Sequence, residues 1–139
     1  MPMNTSVGQP DEGRRSKATV SLIGVVDDDE AVRDSLGMLL QSAGYKCAVF
    51  PSAEAFLALG SLEQTDCMVL DVRMPGMSGP ELQSKIRESN STVPVIFVTA
   101  QATEELRTQA MRDGAVAFLK KPFSDEELLD AIRAVVDTK

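Results

Sequence analysis

Between residues 22 and 135, five short apolar runs alternate strictly with five stretches of helical periodicity, a pattern few folds can accommodate. The runs occupy residues 22–26, 47–50, 68–70, 95–98 and 116–119. The first, third and fourth are apolar throughout, as in parallel strands covered on both faces. Between them, Val32, Leu36, Leu39 and Leu40 line one face of a helix over about residues 30–43. Phe56, Leu57 and Leu59 mark a short second helix. Leu82 and Ile86 mark a third, opened by the capping box Ser78-Gly79-Pro80-Glu81. Leu106, Ala110 and Met111 mark a fourth, which Gly114 ends in a left-handed cap. Leu128, Leu129, Ile132 and Val135 mark a fifth, opened by a second capping box, Ser124-Asp125-Glu126-Glu127. The expectation is an α/β fold: a doubly wound, five-stranded parallel sheet with five helices on its two faces.

At 139 residues the chain fits one domain, and 43% apolar residues suffice for a core. Residues 1–18 mix Pro, Gly, Ser, Asn, Gln and charges without periodicity and read as a disordered tail, which leaves 19–139 as the domain. The polar start is no signal peptide, and no apolar run approaches membrane-spanning length. Cys47 and Cys67 lie beside apolar runs and belong to no CxxC or Cys/His cluster, so they read as reduced thiols of a cytoplasmic protein. The net charge of −7 is carried by the domain, because residues 1–19 hold three basic and two acidic groups. Such a body repels nucleic-acid phosphate, so direct nucleic-acid binding is not expected of it. The chain has no histidine, and any chemistry must rest on carboxylates, hydroxyls, lysine and backbone.

Doubly wound sheets bind ligands beyond the carboxyl ends of their strands. The first run is followed by Asp27-Asp28-Asp29-Glu30, the third by Asp71, the fourth by Thr99 and the fifth by Lys120-Lys121-Pro122. Taken singly, each has an ordinary reading. An acidic run before a helix favours the helix dipole, a strand-end Asp makes a turn, a Thr caps a helix, and a lysine pair is solvated. Their joint placement on one rim is what those readings leave unexplained. Three crowded carboxylates cannot all stay ionised comfortably, so they favour a divalent cation. All-oxygen ligands suit Mg²⁺, which binds at about 2.0–2.1 Å and keeps several waters. One carboxylate can then attack phosphorus, with lysine and threonine holding the phosphoryl oxygens.

The blocks Val25-Val26-Asp27-Asp28, Leu70-Asp71-Val72-Arg73-Met74-Pro75-Gly76-Met77-Ser78-Gly79, Val98-Thr99-Ala100 and Phe118-Leu119-Lys120-Lys121-Pro122-Phe123 carry a resemblance. In order and spacing they resemble the receiver (CheY-like) domain of bacterial two-component response regulators, over about residues 20–137. The segment Ser52-Ala53-Glu54-Ala55-Phe56-Leu57 is most similar to the FixJ/NarL type, whose output is a helix-turn-helix domain. The resemblance implies the flavodoxin-like strand order 2-1-3-4-5. It implies a phosphorelay in which a sensor histidine kinase phosphorylates Asp71, and the domain catalyses its own phosphorylation and dephosphorylation without being an enzyme for a separate substrate. Mg²⁺ would be held by Asp28 directly, Asp27 through water, Asp71 and the Arg73 backbone carbonyl. Thr99 and Lys121 would grip the phosphoryl group, Phe118 would be the switching aromatic, and the Lys121–Pro122 bond would be cis. Control of transcription is the implied output. A homodimer through the fourth helix and fifth strand is expected on phosphorylation, because Glu104-Glu105-Leu106-Arg107 carries both charge signs. The chain ends at Lys139, just after the fifth helical stretch, and reads as a stand-alone receiver or as one part of a longer regulator.

Two other classes use similar residues. A haloacid-dehalogenase-like phosphatase also pairs a nucleophilic Asp with Mg²⁺, but it needs an acid two residues after the nucleophile, where this chain has Arg73. A degenerate receiver serving as a docking module would lose the acceptor or the acidic pair, and both are kept here.

Overall fold

The computed structural model describes residues 20–136. The expected tail at 1–18 lies outside the described residues. The strands are β1 (Leu22–Val26), β2 (Lys46–Phe50), β3 (Cys67–Asp71), β4 (Val95–Thr99) and β5 (Ala117–Lys120). The helices between and after them are α1 (Glu30–Ser42), α2 (Ala53–Leu59), α3 (Gly79–Glu88), α4 (Glu104–Arg112) and α5 (Asp125–Val136). All strand pairs are parallel, in the order β2-β1-β3-β4-β5. The fold class and strand order therefore match the expectation.

The side-chain alternation of the strands divides the core into two layers. Ile23, Val25, Val69, Ile96 and Val98 point to one face, where they meet Leu36 and Leu40 of α1 and Leu128 and Ile132 of α5. Val26, Met68, Leu70 and Phe97 point to the other, against Phe56 of α2, Leu82 and Ile86 of α3 and Ala110 of α4. Each fully buried Leu or Ile contributes roughly 1.5–3 kcal/mol, so both helical layers are held mainly by burial. β3 and β4 are buried at every position, which is why their sequence shows no alternation.

Local chemistry sets the element ends. Both expected capping boxes form: Ser78 Oγ accepts from Glu81 N–H while Glu81 accepts from Ser78 N–H, and Ser124 and Glu127 repeat the exchange. Gly114, at φ +103°, ends α4 as expected. Some expected facings are corrected. In α2 only Ala53 and Phe56 reach the core, while Leu57 is exposed and Leu59 is 79% exposed, because a helix turning 100° per residue cannot bury positions 56, 57 and 59 together. Met111 of α4 is likewise exposed and only Ala110 is buried. The buried C-terminal residue of α5 is Val136, and Val135 is half-buried. Val116 lies before β5 and is exposed.

Candidate functional site

The parallel register brings the strand ends to one rim. Val26 pairs with Leu70, Asp71 with Val98, and Thr99 with Lys120, so the residues that close β1, β3, β4 and β5 stand side by side. Asp71 and Thr99 are the last residues of their strands, inside rather than beyond them. Both are buried, Asp71 to 7% exposure and Thr99 to 1%.

The acidic run after β1 separates into distinct roles. Asp27 is 1% exposed: its Oδ1 accepts from Asp29 N–H at 2.9 Å, and its Oδ2 accepts from Lys121 Nζ at 2.8 Å. Asp29 caps α1, its Oδ1 accepting from Ala31 N–H at 2.9 Å and from Val32 N–H. Glu30 lies in the first turn. Asp28 between them is exposed and makes no hydrogen bond or ion pair among the described residues. Carboxylate oxygens of Asp27, Asp28 and Asp71 all lie within 4.8 Å of one another. That spacing, with all-oxygen donors, can hold a metal ion.

The electrostatics follow from the crowding. Burial, joined by the charges of Asp27 and Asp28, pushes the Asp71 carboxyl up to about 6; Lys121 and the Val72 amide oppose the shift. Lys121 Nζ stands 3.9 Å from Asp71 Oδ1, so one cation serves two carboxylates. The Lys121–Pro122 bond is cis. Thr99 Oγ1 accepts from Gln101 N–H at 3.1 Å, and its hydroxyl proton has no acceptor among the described residues. Arg73 lies just past Asp71 in the loop to α3, with its side chain exposed. Phe118 is turned into the core, 6.3 Å from Phe97 between ring centroids, and its carbonyl accepts from Arg107 Nη1 at 3.5 Å. Asp27, Asp28, Asp71 and Lys121 are thus brought into one cluster, with Thr99 on the neighbouring strand end.

Three supporting residues were not singled out from the sequence. Arg33 Nη1 donates to the Asp27 carbonyl at 2.8 Å, fixing the peptide that leads into Asp28. A mid-helix arginine reads as solvated, and only its position one turn after the cap hinted otherwise. Glu54, in the first turn of α2, accepts from Met77 N–H at 2.8 Å, across 23 residues. Gly79 was read as part of a cap and of the block over residues 70–79, not as a packing contact. A Cβ there would run into the Asp71 carbonyl, so α3 starts against the backbone of β3 only because the residue is glycine.

Fold and rim together define a class: a doubly wound α/β domain with an acidic cluster at its carboxyl strand ends. Within that class, the chain belongs to the response regulator receiver domain family, the phosphorelay module of two-component signalling, and the family match runs over residues 23–133. Nodulation protein W of Bradyrhizobium diazoefficiens is 40% identical over 125 residues, covering 90% of this chain and 55% of that protein. The transcriptional regulatory protein FixJ of the same organism is 44% identical over 113 residues, covering 81% of this chain and 55% of that protein. A crystal structure of FixJ-N superposes with a TM-score of 0.77 at 34% identity, covering 87% of this chain and 97% of that one. The chain spans about half the length of the curated relatives it matches. No helix among the described residues is long and apolar enough to cross a membrane.

Proposed function

We propose that Asp71 is the phospho-acceptor of a Mg²⁺-dependent phosphorelay in the cytoplasm, with a sensor histidine kinase as donor. The observation that carries this reading is the cluster itself: three carboxylates within 4.8 Å, one of them at the buried end of β3, under a lysine 3.9 Å away. Asp27, Asp28, Asp71 and the Arg73 carbonyl would hold the ion, which when bound supplies charge to neutralise phosphoryl oxygens. Asp71 then attacks phosphorus: an O–P bond forms, the N–P bond of the phosphohistidine breaks, and its electron pair stays on the imidazole. Lys121 turns from its carboxylate partners to a phosphoryl oxygen, and the unspent proton of Thr99 donates to another. Phe118, packed beneath α4, transmits the change outward. The resemblance to FixJ supports control of transcription as the output, exerted without direct nucleic-acid contact by this domain. A homodimer through α4 and β5 is the proposed means. Its support is that α4 buries only Ala110 and presents both charge signs outward.

The test is labelling by acetyl phosphate. Label should require Mg²⁺ and vanish in Asp71→Asn, and Mg²⁺-dependent label persisting in that variant would refute the assignment. Light scattering with and without beryllofluoride tests the dimer; a monomer in both conditions at high concentration would exclude it.

A further inference from the structure

The loop over residues 72–78, which joins β3 to α3, is anchored by hydrogen bonds at its ends and by the buried Met74 side chain, but has few polar contacts between. At one end Gly79 N–H donates to the Val72 carbonyl at 2.9 Å, and at the other Ser78 and Glu81 close their capping box. Between these points, residues 73–77 make one hydrogen bond among the described residues, from Met77 N–H to Glu54 Oε2 at 2.8 Å. Glu54 belongs to α2, whose start is fixed by Ser52 Oγ accepting from Ala55 N–H at 3.0 Å. The loop backbone passes tightly around the carboxylate. A Cβ at Gly76 would stand 2.6 Å from Glu54 Oε2 and push that carboxylate aside, and Gly76 has φ +80°, a backbone conformation that favours glycine. The bond is charge-assisted, and the Met77 amide holds the Glu54 carboxyl below its ordinary range.

We propose that Glu54 is a positioning residue for the metal site: by clamping Met77 it pre-aims the loop that carries the Arg73 carbonyl. This rests on the reading of that carbonyl and the three aspartates as the Mg²⁺ site. A loop with one hydrogen bond between its anchored ends samples other conformers once the bond is lost, and apparent affinity then falls by the fraction of chains still in the competent form. Linkage makes the effect reciprocal, so metal binding at the rim must also tighten the Glu54–Met77 bond. α2 thereby senses the occupancy of a site to which it contributes no ligand.

The experiment is calorimetric titration of the full chain with Mg²⁺, together with amide exchange at Met77, on wild type, Glu54→Ala and Glu54→Gln. Glu54 is exposed, so both variants should fold. Glu54→Ala should bind Mg²⁺ about three- to tenfold more weakly and exchange Met77 faster, with thermal unfolding without Mg²⁺ little changed. Glutamine keeps an accepting oxygen and should restore most of the affinity. In wild type, added Mg²⁺ should slow Met77 exchange. If wild type binds Mg²⁺ and Glu54→Ala binds it equally well, the positioning role is overturned. A loss of thermal stability with unchanged affinity overturns it too. If wild type binds no Mg²⁺ at all, the site reading fails first, and unchanged Met77 exchange in Glu54→Ala then removes the clamp as well.

Discussion

Lys121 and Asp27, separated by 94 residues of chain, meet at 2.8 Å, closer than Lys121 stands to Asp71 at 3.9 Å. The lysine therefore neutralises the buried carboxylate that follows β1 first and shares its charge with the end of β3. Removing it strands Asp27 at 1% exposure. Lys121→Ala should lose about 2–3 kcal/mol of stability in chelator, the usual worth of a hydrogen bond to a charged group. The Asp71 carboxyl, which Lys121 holds down, should titrate above about 6. Carbon-13 observation of the Asp71 carboxyl and urea unfolding check both, and an unmoved titration would refute the shared-cation account.

The raised Asp71 carboxyl makes stability depend on pH with a definite sign. Its ordinary value is 3.8 and its value in the fold is about 6, so between them the folded chain binds more protons than the unfolded chain. The group's contribution is intact at low pH and is lost as pH rises through about 6. Asp71→Asn should therefore exceed wild type by on the order of 1–3 kcal/mol near neutral pH without Mg²⁺, and match it below about pH 4. Paired urea titrations at the two pH values measure this. An advantage that does not change with pH would contradict it.

Asp28 is exposed and, unlike Asp27 and Asp29, makes no hydrogen bond or ion pair among the described residues. Asp28→Ala should weaken Mg²⁺ binding at least tenfold and leave metal-free stability undiminished, since its charge only adds to the crowding at Asp71. Calorimetry and thermal unfolding without Mg²⁺ separate the two effects.

Gly79→Ala places a methyl group against the Asp71 carbonyl. Overpacking of this kind costs about 1–3 kcal/mol, and here the strain falls on β3. Unfolding should register the loss, and the Asp71 amide resonance should move.

Burial pushes the Cys47 thiol up to about 11, and Cys67 is fully buried. Neither should react with Ellman's reagent at about pH 8 in the folded chain, because the thiolate is the nucleophile, and both should react in denaturant.

The apolar runs made the sheet legible in the sequence, because strands covered on both faces leave so little choice of residue. The rim was legible for the same reason: Asp27, Asp71, Thr99 and Lys121 interrupt or follow those runs where the fold opens. The acidic run was ambiguous in sequence because neighbouring carboxyls look alike; the backbone makes Asp27 a buried acceptor and Asp29 a helix cap. The supports were hidden more deeply. Arg33, Glu54 and Gly79 act on backbone atoms, whose positions exist only once distant segments have met. Leu57 and Leu59 misled because apolar residues do occur on exposed surface.

The 94-residue span between Asp27 and Lys121 has a consequence during synthesis. At a ribosomal pace of roughly 5–20 residues per second, the carboxylates of β1 emerge about 5–20 s before the lysine that neutralises them. A nascent chain that has delivered β1, β2 and β3 thus holds three carboxyls without the lysine that meets two of them in the fold. Self-repulsion at that rim disfavours premature docking of β1 on β3, and β5 relieves it on arrival. The cluster of carboxylates and lysine is then complete only when the last strand has joined the sheet.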